Sequence, residues 1–187
     1  MTEPKAVLWD LDGTLADSKD FHWRSWVEAM EAEGHSITEA QFLASFGQRN
    51  DTILGEWLGP HADPDQIIRV GEAKEACYRD LVRKEGIAPL PGAAEWVRTL
   101  HREGWRQAIA SSAPRLNVEV MQEALDFEGL IDTLVAAEDV SRGKPDPEVF
   151  LAAAHNLGAS PDRCVVVEDA EAGIEAAHRD DAGYVLG

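Results

Sequence analysis

The 187-residue sequence contains only two cysteines, Cys77 and Cys164, and they lie far apart in the chain. They form neither a CxxC pair nor the larger even set of cysteines found in disulfide-stabilised secreted domains. We therefore expect both to be buried free thiols in a reducing compartment. The N-terminal residues also lack an apolar stretch of signal-peptide length, so the sequence predicts a cytoplasmic protein.

Long apolar runs and basic residues are scarce as well. No run of about 18 apolar residues occurs, so we expect no membrane-spanning helix. The 17 Lys and Arg against 35 Asp and Glu give a formal net charge of −18 at pH 7. A field of this sign repels phosphate backbones and anionic membrane surfaces, which argues against nucleic acid or a membrane as a partner. Any site for an anionic substrate must therefore contain local positive charge.

Short apolar segments alternate with helical patterns along most of the chain. Strands that alternate with helices of about 10 to 15 residues predict βαβ units, and hence an α/β fold with a doubly wound parallel sheet. The predicted strands are residues 6–9, 107–111, 133–137, 164–167 and 184–186, and the predicted helices are residues 93–102, 116–125, 147–157 and 170–178.

Residues 18–85 interrupt this alternation, because they show helical periodicity and no convincing strand. The Pro- and Gly-rich residues 86–92 follow them and are typical of a linker. We therefore predict two domains. One is an α/β catalytic core of residues 1–16 and 88–187, and the other is an all-helical cap formed by the insertion 17–87.

Polar residues of catalytic type follow two of the predicted strands. Asp10 and Asp12 come after the first strand in the segment DLDGT, and ligand sites of open α/β sheets lie at the carboxyl ends of their strands. Two carboxylates so close together usually indicate a bound cation or proton-transfer chemistry. Ser111 and Ser112 lie at the end of the second apolar segment.

Two further segments extend this pattern. Lys144 lies in GKPDP, just before a predicted helix, and Glu168 and Asp169 follow the fourth apolar segment. Each feature has a structural alternative: a helix cap at Ser111, a solvated charge at Lys144 and a surface turn at Glu168. Their occurrence together, at or beyond the ends of buried strands, favours a single active site.

DLDGT, the hydroxyl at Ser111, GKPDP around Lys144 and VVVEDAEAGIEAA resemble the four ordered motifs of the haloacid dehalogenase superfamily. The helical insertion after the first motif is most similar to the β-phosphoglucomutase-like sugar phosphatases and mutases. The resemblance covers nearly the whole chain. It implies an HAD-like Rossmannoid doubly wound core with an inserted all-helical cap.

The resemblance also implies a Mg²⁺-dependent mechanism. Asp10 would be the nucleophile that forms an aspartyl-phosphate, and Asp12 would be the general acid and base. Ser111 would hydrogen-bond the phosphoryl group, and Lys144 would offset its charge. Mg²⁺ prefers hard oxygen ligands. The ligands implied here are Asp10, the main-chain carbonyl of Asp12, Asp169 and, through a water molecule, Glu168.

The expected substrate contacts are Ser112 of the core and two residues of the cap. His22 resembles a cap histidine near the general acid, but it shares a helix face with Trp26 and can equally belong to the packing of the cap. Arg49 lies in a segment similar to the family's specificity loop and can bind a second phosphate bidentately. Lys74 is a weaker candidate, since a charge on that helix normally faces solvent.

The expected substrate is a small phosphorylated metabolite. Hydrolysis is favoured over a phosphosugar mutase reaction, which would use the same phosphoenzyme. One non-catalytic alternative is a phosphoacceptor receiver module, which the DxD pair after the first strand, the insertion and the length of the chain disfavour. The other is an inactive regulatory relative, which the complete motif set disfavours. The chain ends about one helix and one strand earlier than the family pattern implies. We therefore expect an uncovered sheet edge and modest stability, in a monomer or homodimer.

Overall fold

The computed structural model describes residues 5–179 and 182–187. The chain divides into two compact units, Met1–Asp17 with Ile87–Gly187 and Ser18–Gly86. The first unit contains a five-stranded sheet. Ser18–Gly86, every residue of which is described, contains four helices and no strand.

The sheet is parallel throughout, with the strand order β3-β2-β1-β4-β5. Its strands are β1 (Ala6–Trp9), β2 (Arg106–Ala110), β3 (Thr133–Val135), β4 (Cys164–Val167) and β5 (Tyr184–Leu186). The α/β fold expected from the sequence is confirmed. The third strand is shorter than predicted, because Ala137–Asp139 form a short 3₁₀ turn.

Helices account for most of the remaining described residues. They are α1 (Lys19–Ala32), α2 (Glu39–Ser45), α3 (Asn50–Leu58), α4 (Pro64–Glu85), α5 (Ala93–Arg102), α6 (Arg115–Ala124), α7 (Glu148–Leu157) and α8 (Glu171–Arg179). α5 to α8 each begin within one residue of the predicted start. Within the described residues, no helix combines the length and the apolar character needed to cross a bilayer.

The core of the sheet unit forms around β1, whose four residues are all buried. This continuous apolar run is typical of a parallel strand covered on both faces. α7 packs against β1, β2 and β3, and its Phe150 and Ala153 are fully buried. Burying a side chain such as that of Phe150 contributes about 1.5–3 kcal/mol. This packing fixes the positions at which the strands end.

The helical unit has a separate core, centred on Trp26, whose ring lies 5.0 Å from the ring of Trp57. Cys77 lies in this unit and is partly exposed, contrary to the expectation that both thiols are buried. Its Sγ donates a hydrogen bond to Glu28 Oε2 at 3.3 Å. Partial burial and this carboxylate raise the pKa of the Cys77 thiol to about 11. Cys164 is buried, as predicted.

Candidate active site

The site lies where the chain leaves β1, the central strand between β2 and β4. Trp9, the last residue of β1, is in register with Ile109 of β2 and Val167 of β4. Asp10 and Glu168 therefore follow the ends of adjacent strands. Open α/β sheets bind ligands at this switch point, where successive connections leave the sheet in opposite directions.

Asp10 and Asp12 lie on a tight turn. The N–H of Gly13 donates to the carbonyl of Ala16 at 2.8 Å and closes it. Leu11 is fully buried between the two acids, while Asp10 is buried and Asp12 is partly exposed. Burial is the main cause of a raised pKa at Asp10, and the negative charge of Asp12 adds to the rise, so the two carboxylates interact. The turn thus holds a buried and a more accessible carboxylate close together.

Lys144 reaches Asp10 from the loop between β3 and α7. Its Nζ donates to Asp10 Oδ1 at 2.5 Å and to Glu168 Oε2 at 2.6 Å. The Lys144 side chain is only 7% exposed, and Glu168 is buried. The alternatives of a solvated charge at Lys144 and a surface turn at Glu168 are therefore wrong. A buried ammonium instead bridges two buried carboxylates.

The charges of this cluster shift each other's protonation. Burial raises the pKa of Asp10 to about 7; the Lys144 ammonium opposes the rise, and Glu168 adds to it. Burial works against the charge of Lys144, but Asp10 and Glu168 outweigh it and raise the pKa of the amine above its ordinary value. Lys144 thus stays protonated at neutral pH. One ammonium then faces several carboxylates.

Asp10, Glu168 and Asp169 form a group that can hold a cation. Each offers a carboxylate oxygen, and these atoms all lie within 4.8 Å of one another. Their negative charge exceeds the single positive charge of Lys144, so a divalent cation would balance the site. Carboxylate oxygens are the ligands that hard cations prefer. The residues therefore fit a divalent metal ion at the end of β1 and β4.

Two glycines make room for the acids. A Cβ atom on Gly13, whose φ is +94°, would lie 2.2 Å from Asp169 Oδ2, and one on Gly173 would lie 1.9 Å from Glu168 Oε2. The hydroxyl of Thr14 also donates to Asp169 Oδ1 at 3.2 Å. Sequence reasoning missed Thr14 and Gly173, although both lie inside the motifs that it singled out.

Ser111 continues the sheet beyond β2. Its N–H donates to the carbonyl of Val135 at 3.0 Å, and its Oγ accepts from the N–H of Ala113 at 3.0 Å. The alternative of a helix cap at Ser111 is wrong, because α6 begins only at Arg115. The hydroxyl proton of Ser111 takes no part in either bond. Ser112 follows and is partly exposed.

His22 and Arg49 lie in the helical unit, in different environments. The His22 ring stacks on the ring of Tyr78, with 4.2 Å between centroids, and its Nδ1 lies 3.0 Å from Lys74 Nζ. The Arg49 side chain is 40% exposed, and its Nε lies 3.7 Å from Asp51 Oδ1. The His22 ring is thus held by Tyr78 and Lys74, and the Arg49 side chain is partly exposed.

Lys74 does not face solvent as expected but is only 2% exposed. Its Nζ pairs with Glu75 Oε1 at 2.8 Å, and Asn50 Nδ2 donates to the same oxygen at 2.6 Å. Burial raises the pKa of Glu75, but the contacts with Lys74 and Asn50 outweigh burial and lower that pKa below its ordinary value. The long helix α4 packs against both α1 and α3, so Lys74 is covered.

A family model for haloacid dehalogenase-like hydrolases matches residues 4–179 of the chain. The chain belongs to this hydrolase family. The resemblance indicated by the four motifs is thereby confirmed. The matched residues of this hydrolase include the motif acids Asp10, Glu168 and Asp169, which form the carboxylate group described above.

Curated relatives of this hydrolase include proteins that are phosphatases by name. It is 33% identical over 175 residues to the chloroplastic 5-amino-6-(5-phospho-D-ribitylamino)uracil phosphatase of Arabidopsis thaliana, covering 92% of the chain but only 46% of that protein. The chain thus spans about half the length of this plant relative. The chain is also 34% identical over 173 residues to hexitol phosphatase A of Escherichia coli K12, and the match covers 91% of the chain and 76% of that relative.

A solved structure extends the similarity to the fold of nearly the whole chain. CbbY from Rhodobacter sphaeroides in complex with xylulose-(1,5)bisphosphate matches with a TM-score of 0.88 and 26% identity, covering 98% of the chain and 87% of CbbY. Together with the named phosphatases, this similarity supports the sugar-phosphatase subgroup predicted from the helical insertion.

Proposed function

We propose that this chain is a Mg²⁺-dependent phosphatase that hydrolyses a small sugar or sugar-alcohol phosphate through an aspartyl-phosphate on Asp10. The observation that carries this proposal is the buried contact of Asp10 with Lys144, beside the carboxylates of Glu168 and Asp169. This arrangement offers a nucleophile, a fixed cation and ligands for a metal ion in one place. The two relatives named as phosphatases support the reaction class.

In the first half-reaction, a carboxylate oxygen of Asp10 attacks phosphorus and forms an acyl phosphate. The bond from phosphorus to the substrate oxygen breaks, and Asp12 donates a proton to that oxygen, so the product leaves as an alcohol. In the second half-reaction, Asp12 takes a proton from a water molecule that attacks the same phosphorus. Inorganic phosphate leaves, and Asp10 is regenerated as a carboxylate.

Charge must be balanced while a phosphate dianion is bound, because the chain carries a formal charge of −18. We assign this role to Lys144, whose ammonium already lies against the Asp10 carboxylate. Ser111 supplies a hydroxyl donor to a phosphoryl oxygen, and partly exposed Ser112 lies next to it as a further substrate contact. Fixed donors of this kind stabilise charge that develops in the transition state.

The proposed metal ligands are Asp10, Glu168 and Asp169, with the main-chain carbonyl of Asp12 as a further oxygen. When bound, Mg²⁺ would withdraw negative charge from the phosphoryl oxygens and lower the repulsion felt by the attacking carboxylate. Gly13 and Gly173 keep the space in which Asp169 and Glu168 take their positions. Removal of the metal ion with EDTA should therefore abolish turnover.

Within the cap, Arg49 is the proposed recognition residue for a second anionic group. Its side chain is 40% exposed, and its Nε lies 3.7 Å from Asp51 Oδ1, beyond hydrogen-bond distance. A guanidinium group can bind phosphate or carboxylate with two parallel hydrogen bonds. His22 remains the second proposed cap contact, and its position is set by Tyr78 and Lys74.

The proposed substrate class comes from what the relatives' names share. One relative is named for a phosphorylated ribityl compound, one for hexitols, and CbbY was solved with a ketose bisphosphate. Each of these is a phosphorylated or polyhydroxylated carbon chain. A sugar or sugar-alcohol phosphate is therefore the class to test first.

The competing reaction is that of a phosphosugar mutase, in which a sugar hydroxyl replaces water as the acceptor. Both reactions would use the same phosphoenzyme on Asp10. We favour hydrolysis, because the Arabidopsis and Escherichia coli relatives, which are 33% and 34% identical to the chain, are both named as phosphatases. Conversion of β-glucose 1-phosphate into glucose 6-phosphate without phosphate release would identify the mutase.

The deciding experiment is a phosphate-release assay over a panel of sugar and sugar-alcohol phosphates, with Mg²⁺ and with EDTA. The variants are Asp10→Asn and, as a matched control, Asp80→Asn, which changes an exposed carboxylate on α4. We expect Asp10→Asn to lose at least about 10³-fold in kcat, and the control to match the unmodified protein. Measurable turnover by Asp10→Asn at the unmodified rate would refute the proposed role of Asp10.

A further inference from the structure

The loop that carries Lys144 is tied at its base by the carboxylate of Glu148. Glu148 Oε1 accepts a hydrogen bond from the N–H of Ser141 at 2.9 Å, and Oε2 accepts from the N–H of Arg142 at 3.0 Å. Glu148 is the first residue of α7, where a negative charge also interacts favourably with the helix dipole. One carboxylate therefore joins the start of the loop to its end.

Other contacts hold the middle of the same loop. Asp146 Oδ1 accepts from the N–H of Glu148 at 3.1 Å, and Arg142 Nε lies 3.2 Å from Asp146 Oδ2. From α8, Arg179 donates to the carbonyl of Pro145, next to Lys144, at 3.2 Å. The contacts of Arg142 and Arg179 depend on exposed side chains. Glu148 also lies 3.5 Å from Arg142 Nε, but its two hydrogen bonds use main-chain donors that move with the loop itself.

The bonds to Glu148 are of a strong kind. A carboxylate that accepts from two main-chain N–H groups makes charge-assisted hydrogen bonds, which are roughly twice as strong as neutral ones. The same N–H groups lower the pKa of Glu148 below its ordinary value, so the side chain is ionised at neutral pH. The carboxylate can therefore accept both main-chain hydrogen bonds at neutral pH.

We propose that Glu148 is a positioning residue, which fixes the loop of residues 141–148 so that Lys144 Nζ is held between Asp10 and Glu168. Lys144 Nζ lies 2.5 Å from Asp10 Oδ1 and 2.6 Å from Glu168 Oε2, so a shift of the loop would change both contacts. The link from Glu148 through the loop to Lys144 rests on these contacts alone. Its catalytic consequence rests on the proposed function of Lys144.

The first test measures the accessibility of Lys144 rather than activity. The full chain and its Glu148→Ala and Glu148→Gln variants are treated with an amine-acetylating reagent, and modification is followed at each lysine by peptide mass spectrometry. Lys74, which is buried in the helical unit, serves as the internal reference. Glu123→Ala, at an exposed position of α6, is the matched control.

We expect acetylation of Lys144 to be about fivefold faster in Glu148→Ala while Lys74 is unchanged, because only the local loop opens. The acetylation rate of Lys144 in Glu148→Gln should lie between those in Glu148→Ala and the unmodified protein, since the amide oxygen can accept a hydrogen bond from one of the two N–H groups. Equal rates at Lys144 in Glu148→Ala and the unmodified protein would overturn the proposal. A parallel rise at Lys144 and Lys74 would also overturn it, because it would indicate general destabilisation.

The second test uses the phosphatase assay. We expect kcat to fall about tenfold in Glu148→Ala with KM changed less than twofold, the size of effect seen when a supporting contact is removed. A loss confined to KM would contradict a role through Lys144. If the unmodified protein releases no phosphate from any substrate, the proposed function fails, but the acetylation result still decides whether Glu148 positions Lys144.

Discussion

Lys144 Nζ donates a hydrogen bond to Asp10 Oδ1 at 2.5 Å, although the two residues are 134 positions apart in the chain. Both side chains are buried, and the same ammonium is shared with Glu168. A buried charge of this kind is tolerated only when it is paired and hydrogen-bonded. The three residues meet because β1 and β4 are neighbours and the loop before α7 reaches their ends.

Replacing Lys144 tests whether its charge is needed for turnover. We expect Lys144→Met to lower kcat by about 10²–10³-fold, because a fixed donor to the developing charge is lost. Lys84→Met, at an exposed position near the end of α4, is the matched control and should keep the unmodified rate. Phosphate release under steady-state conditions measures both, and a loss below threefold in Lys144→Met would argue against a catalytic role.

Gly13→Ala tests whether the site needs the space beside Asp169. A Cβ there would lie 2.2 Å from Asp169 Oδ2, so we expect the carboxylate to move and Mg²⁺ affinity to fall by about 10–100-fold. Isothermal titration with Mg²⁺ measures the affinity directly.

The control for Gly13→Ala separates crowding from backbone strain. Gly104 has a φ of +76° and nothing within 4 Å of its Cβ position, so Gly104→Ala adds strain without a clash. It should lose about 1–2 kcal/mol of stability and keep its Mg²⁺ affinity. If both variants bind Mg²⁺ equally well, Gly13 does not act by making room for Asp169.

Much of the sheet could be predicted because its signals are local. The apolar run of β1 and the acids after it lie within one segment, and parallel strands bring such segment ends together. The end of β3 could not be predicted, since Ala137 turns into a 3₁₀ helix although the apolar pattern continues.

The buried charge of Lys74 was predicted wrongly for a different reason. Its position on α4 suggested solvent, but α1 and α3 cover that part of the helix. The contacts of Gly173 and Glu148 were likewise missed, because each depends on a side chain or N–H group that only the folded chain brings close. Sequence patterns indicate which residues carry chemistry, and packing decides what supports them.

The pair of Arg115 and Asp139 gives a prediction about acid stability. The hydrogen bond from Arg115, together with one from the N–H of Ala136, lowers the pKa of Asp139. A carboxylate with a lowered folded-state pKa stabilises the fold above its unfolded pKa of about 3.9, and this contribution is lost as the pH falls through the lower folded value.

We therefore expect Asp139→Asn to be less stable than the unmodified protein by up to about 1 kcal/mol at pH 7, since the pair is partly exposed. The difference should be constant down to about pH 5 and shrink below about pH 3.9. Asp126→Asn, at an exposed carboxylate 3.7 Å from Arg98, is the control and should leave stability at pH 7 unchanged. Urea unfolding at several pH values measures the difference in the free energy of unfolding between Asp139→Asn and the unmodified protein. A difference that grows in acid would contradict the prediction.

Lys74 and Glu75 form a buried ion pair whose two partners should depend on each other. Lys74→Met leaves the Glu75 carboxylate buried without its counter-charge, so we expect a loss of about 3–5 kcal/mol in the free energy of unfolding. Adding Glu75→Gln removes the charge that has lost its Lys74 partner and should recover part of that loss, which gives a coupling of about 1–3 kcal/mol in a double-mutant cycle. Losses that simply add, measured by urea unfolding, would show that the pair is not coupled.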